Sequence, residues 1–453
     1  MRRQLTILAL AGVATVALSL AALSLGATGS ILLVSEPNDP NAPSRPTEHF
    51  NPAISADGNF VAYVGTVGSA PDPAGSGGPG PTGTGIFLRD MSGGTTAVDV
   101  PFGASEQGLG FEAGAPSLSG DGRFLAFASE DPDLSSEDRD SSTTPAGDTF
   151  PVRDIFVYDR LNGQVRLASR SDGRRGTGGN EGSSNPSISA DGRYVAFQTN
   201  ATNILRGSFG GVFVRDLGTS ATVPVARVSY RAGGRFDGGY TPSISAHGRW
   251  VAFLTVARLR HGHALEVAVR DMKERRTFFV SRAGGRDGPL GNGDCKLPAI
   301  SANGRYVAFA SEAANLSAID KGSIEDVFVR DLKTRRTVLV SRANGKRGAA
   351  GDGDSSNPSI SANGRYVAFE SEAGNLGPDA NGEDPDVFVR DMRSGRLTLV
   401  SRAGGGGAAS NAPSANPSIS ASGRFIAFES RGSNLNPADR LHFTSVFRYQ
   451  LLP

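Results

Sequence analysis

Cysteine is all but missing from this chain. Cys295 stands alone among 453 residues, so no internal disulfide framework exists and a large core must hold the fold instead. A dominant charge is missing as well: 46 basic residues are matched by 45 acidic ones, interspersed, and the formal charge is +1. That balance gives no bulk attraction to nucleic acid, to an anionic membrane surface or to an acidic polymer, and no nucleic-acid partner is expected. Catalytic signatures are sparse. No GxSxG elbow occurs and no segment is left over for a hydrolase domain. The SADG turns lack the later glycine and tryptophan of a sialidase-type Asp box. Histidine is scattered at His49, His247, His261, His263 and His442. Only His261 and His263 fall together, in an expected loop, and an HxH without a third ligand reads as solvent-facing. What the chain has in plenty is glycine, 60 residues, and a repeat that explains it.

The phrase NPSISANGRYVAFES, starting at Asn357, recurs in recognisable form seven times. Its anchoring prolines are Pro52, Pro116, Pro186, Pro242, Pro298, Pro358 and Pro417, at intervals of 56 to 70 residues. Such a period marks a stacked supersecondary unit. Each copy continues into DVFVRD (Asp386 to Asp391) and LTLVS (Leu397 to Ser401). Strand A is thus the short PSIS segment, B is RYVAFES, C is DVFVRD and D is LTLVS, all rich in β-branched and aromatic residues. The repeat predicts an all-β, seven-bladed β-propeller with four antiparallel strands per blade. Between A and B every copy carries a glycine (Gly58, Gly122, Gly192, Gly248, Gly304, Gly364, Gly423), where positive φ is free of steric cost. The residues before these glycines, Asp57, Asp121 and Asp191 among them, read as turn formers. Strands B and C are nearly continuous apolar runs, as burial between two neighbouring blades requires. Trp250 takes the aromatic strand-B position and is expected in the core. Antiparallel pairing should bring Arg365 to Asp391 and Arg305 to Asp331 as blade-edge ion pairs.

The last copy ends one outer strand short. At the other end of the chain, Ile31 to Ser35 (ILLVS) matches strand D, and its distance to Pro52 equals that from Ser341 to Pro358. The N-terminal strand is therefore expected to pair into the final blade and close the ring, leaving no open seam.

The residues PSISADGRYVAF (Pro186 to Phe197) followed by VFVRD (Val212 to Asp216) resemble the WD-like β-propeller repeat of the TolB-type family of exported bacterial proteins. The resemblance spans Ile31 to the C-terminus and implies a propeller working outside the cytoplasm. It does not imply a Tol-Pal role, because the separate N-terminal α/β domain and the six-bladed count of TolB itself are not matched.

Residues 1–29 agree with export. Arg2 and Arg3 precede an uncharged apolar run from Leu5 to about Leu25, followed by Ala27-Thr28-Gly29, the pattern of a cleaved secretory signal. Residues 30–453 then form a single propeller domain. An uncleaved anchor is the competing reading, since the run nearly spans a bilayer of roughly 30 Å. Cleavage is favoured because the closing strand begins so near the site that retention would press the propeller rim onto the membrane. The mature chain is expected to be a monomer in the periplasm, on the cell surface or in the medium, without membrane insertion.

Function is expected on one face. The A-to-B and C-to-D connections are tight, whereas the D-to-A and B-to-C loops are long and should gather at one mouth of the central channel. The residues before the anchoring prolines should ring that mouth: Asn51, Ala115, Asn185, Thr241, Leu297, Asn357 and Asn416. Asn51, Asn185, Asn357 and Asn416 are the candidate ligand-binding residues, able to read hydroxyls or peptide groups, with local backbone bonding as the alternative. In blade 6 the loop DANGEDPD places Asp379, Asn381, Glu383 and Asp386 as oxygen ligands suited to calcium, against a solvated acidic loop. The acidic loop of blade 2, Asp131 to Arg153, reads as a solvated excursion. No catalytic residues are assigned. The favoured reading is an exported, non-enzymatic recognition module for a protein or cell-envelope glycan. The alternatives are a polysaccharide lyase or glycosidase using His261, His263 and Asp379, and a structural scaffold.

Overall fold

Seven small antiparallel sheets of four strands each build the protein in a computed structural model, which describes residues 29–35, 46–68, 82–99, 113–131, 134–135, 141–143, 149–206, 210–227, 237–259, 262–285, 288–320, 322–345, 348–377, 384–439 and 443–452. Each sheet is one blade of a seven-bladed β-propeller. In blade 6 strand A is Ser355–Ile360, B is Tyr366–Ser371, C is Asp386–Asp391 and D is Leu397–Leu399, paired in that order. Blade 7 draws strands A to C from Ser414–Ile419, Phe425–Ser430 and Ser445–Leu451, and its outer strand is Gly29–Leu33 from the other end of the chain. The register runs from Gly29 opposite Leu451 to Leu33 opposite Phe447. The expected closure is therefore the observed one. The expected signal segment, apart from Gly29, lies outside the described residues. Gly29 is already the first residue of the closing strand, packed beneath the Tyr449 ring.

Strand A is longer than PSIS alone. It begins three residues before its proline in five blades and earlier in blades 1 and 4, and its register with strand B slips there, between Ser356 and Ser359 in blade 6 and at matching positions in the others. The cause is the residue before proline, which is left-handed in all seven blades: Asn51, Ala115, Asn185, Thr241, Leu297, Asn357 and Asn416 have φ between 43° and 52°. Proline offers no N–H to the ladder and a left-handed residue turns the chain, so the two together make a bulge. Asparagine tolerates this conformation better than other side chains, which accounts for four asparagines among seven.

Three sets of contacts at the A-to-B turns and strand A join blade to blade. The glycine of each A-to-B turn sits against the aromatic residue that opens strand B of the preceding blade, Gly304 on Trp250 and Gly58 on Phe425, so it needs both positive φ and the missing Cβ. Trp250, expected in the core, is only partly buried and forms this blade-to-blade contact. The same turns are bonded into a closed circle of backbone hydrogen bonds. Ala56 bonds to Gly120, Gly120 to Ala190, Asp191 to Ala246, Ala246 to Ala302, Asn303 to Ala362, Ala362 to Ala421, and Ala421 back to Ala56, each from N–H to carbonyl. Finally, the strand-A serine of one blade accepts the N–H of the next blade's isoleucine, as from Ile188 to Ser117 (3.1 Å) and Ile419 to Ser359 (3.0 Å). The two blades with alanine there, Ala53 and Ala299, lack this bond.

The Arg–Asp pairs form as expected: Arg365 reaches Asp391 at 2.8 Å and Arg305 reaches Asp331 at 2.7 Å. The long loops need a correction. The first halves of the D-to-A loops leaving blades 2, 4 and 5, which were expected at the channel mouth, dock on the outer part of the next blade. The Gly285 N–H donates to the Arg335 carbonyl in a C-to-D turn, and Asn344 exchanges hydrogen bonds with Leu397 of strand D. Buried Arg330 and Arg390 of strand C hold the same loops by donating to their carbonyls, Arg330 to Ala283 and Arg390 to Arg342. Strand D is an edge strand, and this lap covers it. Within the acidic loop of blade 2, Ser141–Thr143 pairs with Thr149–Pro151.

Candidate site at the channel mouth

The sixth residue of each B phrase, counted from its arginine position, stands opposite the strand-A residue just before the left-handed one in its own blade. It reads Val64, Ala128, Gln198, Leu254, Ala310, Glu370 and Glu429 around the ring. Where it is polar it staples two blades. Glu370 accepts from the Asn357 side-chain amide (2.7 Å) and from the Asn416 backbone N–H (2.8 Å). Glu429 repeats the pattern one blade on, accepting from the Asn416 amide (2.9 Å) and the Asn51 N–H (2.6 Å). Asn357 also donates to the Asn416 side-chain oxygen at 3.0 Å. Gln198 does the same in blade 3 with one oxygen, taking the Asn185 amide and the Thr241 N–H at 3.2 and 3.3 Å.

Blades 6, 7 and 1 thus share a continuous arc, Glu370 to Asn416 to Glu429 to Asn51. Burial raises both carboxyls above the ordinary range; Glu325 and Glu372 push Glu370 further, and Glu370 pushes Glu429. Beside Glu429, between blades 7 and 1, opens a cavity of about 400 Å³. Its lining includes Glu48, Phe50, Asn51, Asn416, Glu429 and Arg431. Arg431 approaches Glu48 at 3.7 Å and takes the Thr444 hydroxyl through Nε at 3.1 Å. Behind the wall His49 is buried, its backbone N–H on the Thr444 carbonyl at 2.8 Å, and burial pushes its imidazole down to about 4. The arrangement presents carboxylate, guanidinium and amide groups within one small concavity, the mixture that orients a polar ligand.

Of the four asparagines expected to bind, Asn51 and Asn416 line this cavity, while Asn185 and Asn357 lie further round the mouth. The amides of Asn185, Asn357 and Asn416 are engaged with Gln198 or the glutamates, so their first task is structural. Among the calcium candidates, Asp379, Asn381 and Glu383 lie outside the described residues. Asp386 opens strand C, is buried, and accepts from the Ser401 hydroxyl at 2.7 Å. Asp326 accepts from the Ser341 hydroxyl at 2.5 Å in the equivalent pair, and Glu266 accepts from the Ser281 hydroxyl in the same way. Among the described residues no group of three or more His, Cys, Asp or Glu could hold a metal. His261 lies outside the described residues. His263 is exposed in strand C of blade 4 (Gly262–Asp271) rather than in a loop, because this strand and its partner Trp250–Leu259 are both extended into a long hairpin. Sequence reasoning missed Glu48, Phe50, Glu370, Glu429 and Arg431. A signal was present: acid at a strand position that is apolar in four of the seven copies.

No protein-family model matches the sequence, and no curated protein matches it. Among solved structures the chain is similar to an oligogalacturonate lyase in complex with manganese, at 13% identity and TM-score 0.51 over 94% of this chain and 98% of that one. It is also similar to the β-propeller domain of the Trilobed protease from Pyrococcus furiosus, at 9% identity and TM-score 0.52 over 90% and 98%. TolB from Acinetobacter baumannii matches at 16% identity and TM-score 0.37 over 70% of this chain and 59% of that one. At these identities the first two show the propeller fold alone, and the TolB match is too loose to add to it.

Proposed function

We propose that this protein is an exported, non-enzymatic recognition module that binds a cell-envelope glycan in the cleft between blades 7 and 1. The observation that carries the reading is the convergence of Glu48, Asn51, Glu429 and Arg431 around a cavity of about 400 Å³ at the channel mouth. That volume suits one or two sugar rings and falls within the usual range of small-ligand sites, about 300–1,000 Å³. Hydroxyls need both acceptors and donors, which the carboxylates and Arg431 supply. The repeat's resemblance to the TolB-type family and the signal-like residues 1–29 support export.

A glycan array should identify the ligand, and calorimetry should measure it. Arg431→Ala is expected to weaken binding at least tenfold, about 1.4 kcal/mol. Lys333→Ala, in a C-to-D turn on the opposite face, should leave affinity unchanged. Full affinity in the Arg431→Ala protein, or loss in the Lys333→Ala protein, would refute the site.

A further inference from the structure

The fold does not require charge where Glu370 and Glu429 stand. Gln198 makes the same two contacts in blade 3 with a neutral amide, and Val64, Ala128, Leu254 and Ala310 fill the position in the remaining blades with no polar contact at all. Two adjacent blades nevertheless carry carboxylates, side by side and partly buried, where each works against the other and against its own desolvation. A blade-stapling role would be met at lower cost by glutamine. The retained charge is therefore a property of the cleft, into which Glu429 opens together with Glu48. Among the described residues the lining holds two carboxylates, Glu48 and Glu429, against one cation, Arg431, which lies 3.7 Å from Glu48 and also acts on Glu429, so one negative charge is left over. Among the described residues each Glu429 oxygen accepts one hydrogen bond, and a carboxylate has room for about four.

We infer that the cleft selects a ligand carrying a primary ammonium group, and specifically an amino sugar whose amine is not acetylated, held by Glu429 with Glu48 across from it. This rests on the glycan reading of the same cleft.

The test compares a β-1,4-linked glucosamine tetramer with its fully N-acetylated counterpart by calorimetry at pH 6, where the amine is charged, on the full chain. The free-amine sugar is expected to bind at least tenfold tighter, with the difference shrinking as salt is raised. Glu429→Gln copies the geometry of Gln198, so it should keep the fold and lose the preference. Glu48→Gln, at a half-exposed position, should lose part of it and guards against a folding artefact. If both sugars bind equally and Arg431→Ala weakens both, the ammonium inference falls while the cleft stands as a glycan site. If neither sugar binds, or a lysine peptide binds instead, the inference falls together with the glycan reading.

Discussion

The backbone N–H of Ala421 donates to the carbonyl of Ala56 at 3.1 Å, the bond by which the seventh turn meets the first and the circle of turns closes. On the outside the same closure is made by Gly29–Leu33. Both joins tie the last blade to the start of the chain, so loss of either leaves a seam.

Removing the closing strand is the first way to open that seam. Deleting Gly29–Leu33 exposes the edge of Ser445–Leu451, and Ile31, buried among Val400, Ile426 and Tyr449, is lost with it. Ile31→Ala alone is expected to cost about 2–5 kcal/mol. The full deletion should melt well below that point mutant and associate on a sizing column. Unchanged melting in the deletion would show that the turns alone suffice.

Gly304→Ala should destabilise by more than an ordinary turn substitution. A Cβ at Gly304 would enter the Trp250 ring, and the residue has φ 68°. Left-handed strain in a non-glycine residue costs about 1–2 kcal/mol before the clash is counted. Urea unfolding should register a lower midpoint. A neighbouring change at Asn303→Asp, outside the clash, should cost far less.

Ala299→Ser is expected to stabilise. It restores the hydroxyl that five other blades present to the following N–H, here that of Ile360, and a net hydrogen bond contributes about 0.5–1.5 kcal/mol. A rise in the melting midpoint is the expected result. A fall would mean that the channel wall at blade 5 has no room for the hydroxyl.

Stability should depend on pH through the acids buried inside the blades. Burial pushes Asp326 up to about 7, with Asp320 and Asp354 adding to the rise, and pushes Glu266 up to about 8. A folded-state value above the unfolded one means that the native state holds the proton more tightly. That contribution is whole below about pH 4 and is lost as pH rises through 7 to 8. His49 acts in the opposite sense, costing stability as pH falls from about 6.5 toward 4. The diagnostic is therefore a difference: Asp326→Asn should flatten the decline in melting temperature between pH 5 and 8, leaving the acid side as it was.

The repeat by itself determined the blade count, the four strands, the turn glycines and the closure, because each is local or periodic. A proline every 56 to 70 residues, a glycine that must turn and an orphan strand ILLVS admit few arrangements. The ion pairs followed from antiparallel register in the same way. The site was less legible. Asn51 and Asn416 were readable as members of a ring, yet the reason for asparagine, a left-handed residue before proline, appears only when strand A is seen to bulge. The lap of the D-to-A loops over the next blade's edge was hidden, since no local pattern states where a glycine-rich loop docks. Only the tertiary structure set Glu429 of the last blade against Asn51 of the first, 378 residues apart, and opened a cavity beside them. Ring closure decides that meeting: it brings the two ends of the chain together at the mouth, and a contact made by closure leaves no spacing in the sequence to find.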